Sequence, residues 1–326
     1  MRYFRLLFVL IIMAGLTACE KEILFDDIAP EPLLVVNGIQ HVGVPARLSV
    51  EKSSFYINTE NDFRVKDVHV DLYVNGVFKE ALQVRDSMVM ESYWSWNDSI
   101  GEYLVERPKY AYVYCEGEYI LCEGDQLRFE VSSSEFDEVA VAETTIPYAP
   151  NVISFDTLRV VASPDGDGLS NVYLSLKIDD PLGSDYYNLC PQEGLSHFTT
   201  GDPVFADFMN IVHVDDLFGG SDYYGRGDYN LFNDTYFDGS QYTINMNSTV
   251  YPVESYHYKP LEMEVTRVDY SLYQFAKSYS NYDYADDLLA LFTEPVQVYS
   301  NVQNGVGVVC SQSRPVTVIV DLREED

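Results

Sequence analysis

Apolar and polar residues alternate with a period of two through much of this chain, the pattern of half-buried β-strands. Leu33-Leu34-Val35-Val36-Asn37-Gly38 opens it and Arg47-Leu48-Ser49-Val50 continues it. In the clearest case Val68, Val70, Leu72 and Val74 share one strand face, with His69, Asp71 and Tyr73 on the other. Asn75-Gly76 then leads into a second run over residues 77–82. An Asn-Gly pair between alternating runs predicts a hairpin, because a type I′ turn needs positive φ at both central residues. Further strands are expected over 88–96, 110–115, 118–122, 126–132 and 139–142. Pro147-Tyr148-Ala149-Pro150 interrupts the pattern, since proline breaks both ladders and helices. Alternation resumes over 152–161 and 171–179 and closes over 296–298 and 316–320. Leu272, Phe275, Ala276 and Tyr279 recur at i, i+3, i+4 and i+7 and predict one helix over 269–281. The pattern thus predicts an all-β fold. Residues 33–148 form an immunoglobulin-like β-sandwich, and residues 151–326 a second β-sandwich or barrel-like domain with one short helix.

The first 32 residues follow a different logic. Met1–Arg5 carries Arg2 and Arg5, residues 6–16 are apolar, and Leu16-Thr17-Ala18-Cys19 reads as a bacterial lipobox. The apolar run is too short to span a bilayer, which takes about 20 residues. Residues 1–18 are therefore expected to be a signal peptide, Cys19 the acylated (palmitate-bearing) mature N-terminus, and residues 19–32 a tether. The stretch EKEILFDDIAPEP, 20–32, reaches about 40 Å when extended.

Without residues 1–18, 18 basic side chains face 52 acidic ones, a net charge of −34. That field repels nucleic acid and anionic lipid head groups and favours cations, basic peptides or plain solubility. The 47% hydrophobic content argues against a disordered acidic tail. Tyrosine is abundant, 27 residues against 2 Trp, which suits half-buried pleated surfaces.

Cys115, Cys122, Cys190 and Cys310 remain, and an exported chain can keep disulfides. Cys115 and Cys122 flank Glu116-Gly117-Glu118 and can face each other across a hairpin, leaving Cys190 to meet Cys310. Four free thiols are the alternative.

No serine-hydrolase elbow, phosphate-binding loop, His-Glu-x-x-His helix or dinucleotide fingerprint is present, and no spacing supports a paired-carboxylate hydrolase. The expectation is a non-enzyme without cofactor or metal. His213-Val214-Asp215-Asp216 offers at most two ligands, and Asp165-Gly166-Asp167-Gly168 is half a calcium loop that reads as a β-turn. Arg226-Gly227-Asp228 is a loop tripeptide. Residues 201–258 hold nine acidic residues, one basic residue and thirteen Phe or Tyr. Tyr223, Tyr224, Asp228, Tyr229, Tyr236 and Phe237 are candidate ligand-binding residues there, as stacking platforms beside Asp222, Asp234 and Asp238. The plainer alternative is that these aromatics close the second core and the acids cap its loops.

Leu34–Gly38 and, above all, the run from Phe292-Thr293-Glu294-Pro295-Val296 through Ser300-Asn301-Val302-Gln303-Asn304-Gly305-Val306-Gly307 resemble a Bacteroidota lipoprotein family known as domain of unknown function 4249. The family's ending reads F-x-E-P-V … S-N-[IV]-x-N-G-[LV]-G. Val309 and Cys310 stand where the family commonly has an aromatic and a glycine. The resemblance implies a lipid-anchored outer-membrane protein, surface-exposed or periplasm-facing, that partners a TonB-dependent transporter. It transfers no catalytic residue. An anchor or accessory subunit of fimbria-like surface fibres is the alternative.

Overall fold

The computed structural model describes residues 31–54, 63–97, 101–162, 170–192, 195–197, 203–204, 212–213, 224–226, 229–250, 256–258, 261–284 and 297–320. The strands of the first half are β1 (Leu34–His41), β2 (Pro45–Lys52), β3 (His69–Val74), β4 (Val77–Ala81), β5 (Gln83–Asn97), β6 (Gly101–Ile120), β7 (Gln126–Ser132) and β8 (Ala140–Thr145). The second half begins with β9 (Asn151–Ala162), β10 (Ser170–Asp179), β11 (Tyr186–Gln192), β12 (Leu195–His197), β13 (Pro203–Val204) and β14 (Val212–His213). It continues with β15 (Tyr224–Arg226), β16 (Tyr229–Asn233), β17 (Gln241–Val250), β18 (Tyr256–Tyr258) and β19 (Leu261–Val268). Helix α1 (Tyr270–Tyr284), β20 (Val302–Gln303), β21 (Val309–Gln312) and β22 (Val316–Val320) complete it.

The Asn75-Gly76 hairpin forms as the pattern predicts, with φ of 53° and 78° at the two turn residues. Val70, Leu72 and Val74 face inward from β3. They meet Leu34, Val36, Leu48 and Val50 of the facing sheet and Leu127, Phe129 and Val131 of β7 in one apolar core. The all-β expectation holds as a sandwich.

Residues 110–122 behave differently from expectation. They make no hairpin, because β6 runs unbroken from Gly101 to Ile120. Glu116-Gly117-Glu118 is instead an irregularity where the register against β2 jumps from Arg47↔Glu116 to Pro45↔Ile120. The Glu80 carboxylate accepts hydrogen bonds there from the Glu118 and Tyr119 amides, at 3.0 and 2.9 Å. A Cβ on Gly117 would lie 2.3 Å from that carboxylate, so the glycine marks a close approach rather than a turn. Cys115 and Cys122 consequently sit along one strand direction, roughly 20 Å apart. Among the described residues no disulfide joins Cys115, Cys122, Cys190 or Cys310. Burial pushes the Cys115 thiol up to about 12, which leaves it protonated and unreactive.

A ten-stranded sheet runs β15-β16-β11-β19-β21-β1-β2-β6-β5, with β22 pairing β19 off this path. The other sheets are β14-β17-β10-β9, β13-β12-β18 and β20-β8-β7-β3-β4. Every sheet is open among the described residues. The barrel-like alternative for the second half therefore does not hold: β1 carries the long sheet onward into the first sandwich instead of letting it close on itself. Nor do Pro147 and Pro150 divide two strand networks. They separate β8 from β9, yet β20 pairs β8 and β21 pairs β1, so the chain end completes the sheets of the first half.

That return is a clasp between the two motif stretches. The amides of Val36 and Gly38 donate to the carbonyls of Val306 and Val308 at 2.9 Å, and the Val306 amide donates to Leu34 at 2.9 Å. The Asn37 side-chain carbonyl accepts from the Val308 amide at 2.9 Å. The Asn301 amide group donates to the carbonyls of Val309 (2.7 Å) and Glu143 (3.1 Å), while its carbonyl accepts from the Val309 amide (2.9 Å). Gly307 has φ of 121°, and a Cβ there would lie 2.2 Å from the Val36 carbonyl oxygen. Val309 enters the first core, and Val308 and Cys310 enter a second core with Leu231, Val268, Leu272 and Tyr273. One strand thus walls both cores, by ordinary alternation.

Helix α1 falls where its stripe predicts. Asp269 caps it, its Oδ1 accepting from the Leu272 amide at 2.9 Å. Leu272 is buried as expected, whereas Tyr279 is exposed and the adjacent Tyr273 takes the core position. The other Asp269 oxygen accepts from the Thr144 hydroxyl at 2.7 Å, which ties the helix start to β8.

Candidate functional site

The fold gathers one acidic cluster from segments the sequence keeps far apart. Asp180 follows β10, and the turn over residues 234–240 between β16 and β17 brings Asp234 and Asp238 back toward it. One carboxylate oxygen from each lies within 4.8 Å of the others. Asp180 and Asp234 are buried and Asp238 is exposed. Like charges this close require donors. The Tyr187 hydroxyl donates to Asp180 Oδ1, and the Gly239 amide to Asp180 Oδ2 at 2.9 Å. The Asp185 amide donates to Asp234 at 2.8 Å and the Gly183 amide to Asp238 at 2.9 Å. Arg267, paired with Tyr187 across β11 and β19, makes an ion pair with Asp185.

The electrostatics follow from burial first and charge second. Burial raises Asp234 to about 6, and the Asp180 charge pushes the same way. Burial holds the Tyr187 phenol above its usual range, reinforced by its bond to Asp180, so it remains a donor. Burial lowers the Arg267 guanidinium, and the Asp180 charge opposes that. Among the described residues, Asp180, Asp234 and Asp238 are the group able to offer oxygens to a hard cation. Those carboxylates are already engaged by backbone amides and a phenol. As it stands the cluster is a self-satisfied polar cap over the turn.

Aromatic residues pack beneath the cap. Tyr187 stacks on Phe232 with centroids 5.3 Å apart, and Phe237 stacks on Tyr242 at 4.8 Å. A second group gathers Tyr186 with Tyr273 (4.8 Å) and Tyr270 (5.7 Å) where β11 meets α1.

The candidate ligand residues scatter across these surroundings. Phe237 is 3% exposed and belongs to the packing, so it is not an open platform; its neighbour Tyr236 is 52% exposed at the tip of the same turn. Tyr224 and Tyr229 lie on β15 and β16, in register with Leu231 and Arg226. Tyr223, Asp222 and Asp228 lie outside the described residues, as do Cys19, Asp165, Asp167, Asp215 and Asp216. His213 lies on β14 opposite Met246, and Arg226 ends β15. Periodicity missed Asp180, Asp185, Tyr187 and Arg267. The doublet Asp179-Asp180 before Pro181 was the one local signal, and nothing in it indicates which residues converge.

The family model described as "Domain of unknown function (DUF4249)" matches residues 20–315 and so covers both sides of the clasp. The chain belongs to the DUF4249 family. No curated protein matches it. A solved structure, that of a beta-glucuronidase from glycoside hydrolase family 2, is similar at 11% identity over 74% of this chain. The DUF4249 chain spans only 19% of that enzyme's length, and the TM-score of 0.17 carries no argument about activity.

Proposed function

We propose that this chain is a lipid-anchored accessory protein of the outer membrane, without catalysis of its own, that captures a ligand for, or docks onto, a TonB-dependent transporter. The observation that carries this reading is the N-terminus: Leu16-Thr17-Ala18-Cys19, then an acidic, proline-terminated tether that runs into β1. β1 lies inside the ten-stranded sheet, flanked by β2 and β21, so both halves of the chain brace the point where the tether attaches. The net charge of −34 after cleavage favours protein or cationic partners over nucleic acid. The DUF4249 resemblance adds the Bacteroidota envelope and the transporter to the proposal.

Metabolic labelling with a clickable palmitate analogue tests the anchor: label on the wild type and none on Cys19→Ser is expected, and an unmarked wild type overturns it. Affinity capture from solubilised outer membranes tests the partner, and an abundant chain that recovers no transporter defeats that half of the reading. In the fibre-anchor alternative an edge strand is exchanged between subunits. The in-register pairing of β22 with β19, from Leu261↔Val320 to Val265↔Val316, supports a strand built into its own sheet instead. Deleting residues 316–320 separates the two, because a built-in strand leaves no folded monomer behind.

A further inference from the structure

β5 and β6 form a ribbon longer than the sheet that holds it. β2 pairs with β6 from Pro45↔Ile120 to Val50↔Val113 and no farther. Beyond that point the ribbon continues as two strands alone among the described residues, from Ser87↔Tyr112 to Asn97↔Gly101. Ten residue steps at about 3.3 Å give an arm of about 33 Å. A two-stranded ribbon is marginal by itself in water, so one this long gains from a surface that holds its free end.

Three observations indicate that surface. The first is composition. Both tryptophans of the chain, Trp94 and Trp96, sit on the outer part of the arm, in register with Leu104 and Glu102, beside Tyr93 and Tyr103. Tryptophan and tyrosine concentrate at the head-group level of bilayers, where an amphipathic ring is half solvated. The second is direction. β2 runs from Pro45 toward Lys52 alongside β6 running back from Ile120 toward Val113, and Lys52 pairs with Leu34. The arm therefore leaves the sheet at the end where β1 begins and where the tether joins. The third is reach. Residues 20–32 extend to about 40 Å, close to the length of the arm.

We propose that the β5–β6 arm is a strut that rests on the bilayer carrying the anchor, with the Trp94–Trp96 segment in the head-group zone. The strut holds the body off the membrane at a set height and orientation. On the arm Glu91, Glu102 and Glu106 stand against Arg107 and Lys109, so it carries no basic excess to draw it to an anionic surface and suits a zwitterionic one. The proposal rests on the lipid anchor at Cys19 for its native setting.

Because the chain has two tryptophans and both lie on the arm, intrinsic fluorescence reads the arm alone. The acylated protein is reconstituted in vesicles of phosphatidylcholine and phosphatidylethanolamine. In parallel, the chain from residue 20 with an N-terminal His tag is bound to nickel-chelating lipid in the same vesicles. The expected result in both is emission moved several nanometres to the blue, shielding from iodide, and quenching strongest for lipids brominated near the head group. Emission and iodide quenching equal to those of the untethered protein overturn the strut. The nickel-tethered form separates the two claims: a blue shift there, with no palmitate label in cells, keeps the strut and removes the anchor. A photoreactive residue at position 96 that crosslinks to a protein instead of lipid in intact outer membranes also overturns it.

Discussion

The clasp and the acidic turn both join distant segments, and they differ in what holds them. In the clasp the contacts are backbone to backbone, with two asparagine side chains and a glycine in the left-handed region. No slack is left there, and residue identity follows from geometry. In the acidic turn the contacts are carboxylates against amides, a phenol and a guanidinium, so the balance depends on charge state and pH. The stretch on which the family resemblance was read is therefore architectural. The stretch chosen for its chemistry is half core and half polar cap.

The sharpest way to break this contrast is at Gly307, where a side chain meets both a forbidden φ and the Val36 carbonyl. Gly307→Val is expected to cost about 4 kcal/mol or more and to leave little folded protein. Gly43→Ala, also at positive φ but with nothing within 4 Å, costs only about 1 kcal/mol in urea unfolding. Equal effects at the two glycines would mean that the close approach at the clasp is unimportant. Next comes Phe237→Ala, expected to lose about 3–4 kcal/mol because a buried stacked ring is removed, against less than about 0.5 kcal/mol for Tyr236→Ala. A stable Phe237→Ala protein would return that residue to the ligand-binding candidates. Asn301→Ala follows, at about 2–3 kcal/mol, since it strands the amide and carbonyl of Val309 at once.

The smallest effect is the one specific to the acidic turn. The fold raises Asp234 from 3.8 to about 6, so the native state binds its proton more tightly than the unfolded chain does. Its contribution to stability is present at low pH and is lost as pH rises from about 4 through about 6. Asp234→Asn does not titrate and is expected to gain on the wild type across that window, by about 1–2 kcal/mol once the shift is discounted for solvent screening. Urea midpoints at several pH values measure it, and a difference that stays constant with pH would refute the coupling.

Much of the strand inventory was legible because alternation is a local property. The Asn75-Gly76 hairpin, β7, β8, β9, β10, β22 and helix α1 follow from patterns within about ten residues. The run 110–122 misled for an equally local reason. A glycine between glutamates looks like a turn, and only the carboxylate of Glu80, on another strand, explains it as a close approach. Without that turn Cys115 and Cys122 have no hairpin across which to face each other, and the described cysteines stand as free thiols, the other of the two alternatives. At the candidate site, the acids and aromatics of 229–242 were visible as a class. Which of them are buried depends on Asp180, Tyr187 and Arg267, which arrive from other strands.

The strand periodicity, the helix and the Leu16-Thr17-Ala18-Cys19 motif are each written within one short window, and the acidic charge is a plain sum over the residues. Tertiary structure alone decided that residues 34–38 and 301–309 are one element, that a single strand serves two cores, and that Asp180, Asp234 and Asp238 meet. Those outcomes are long-range pairings, and a pattern of period two states which residues face inward without stating which strand they will face.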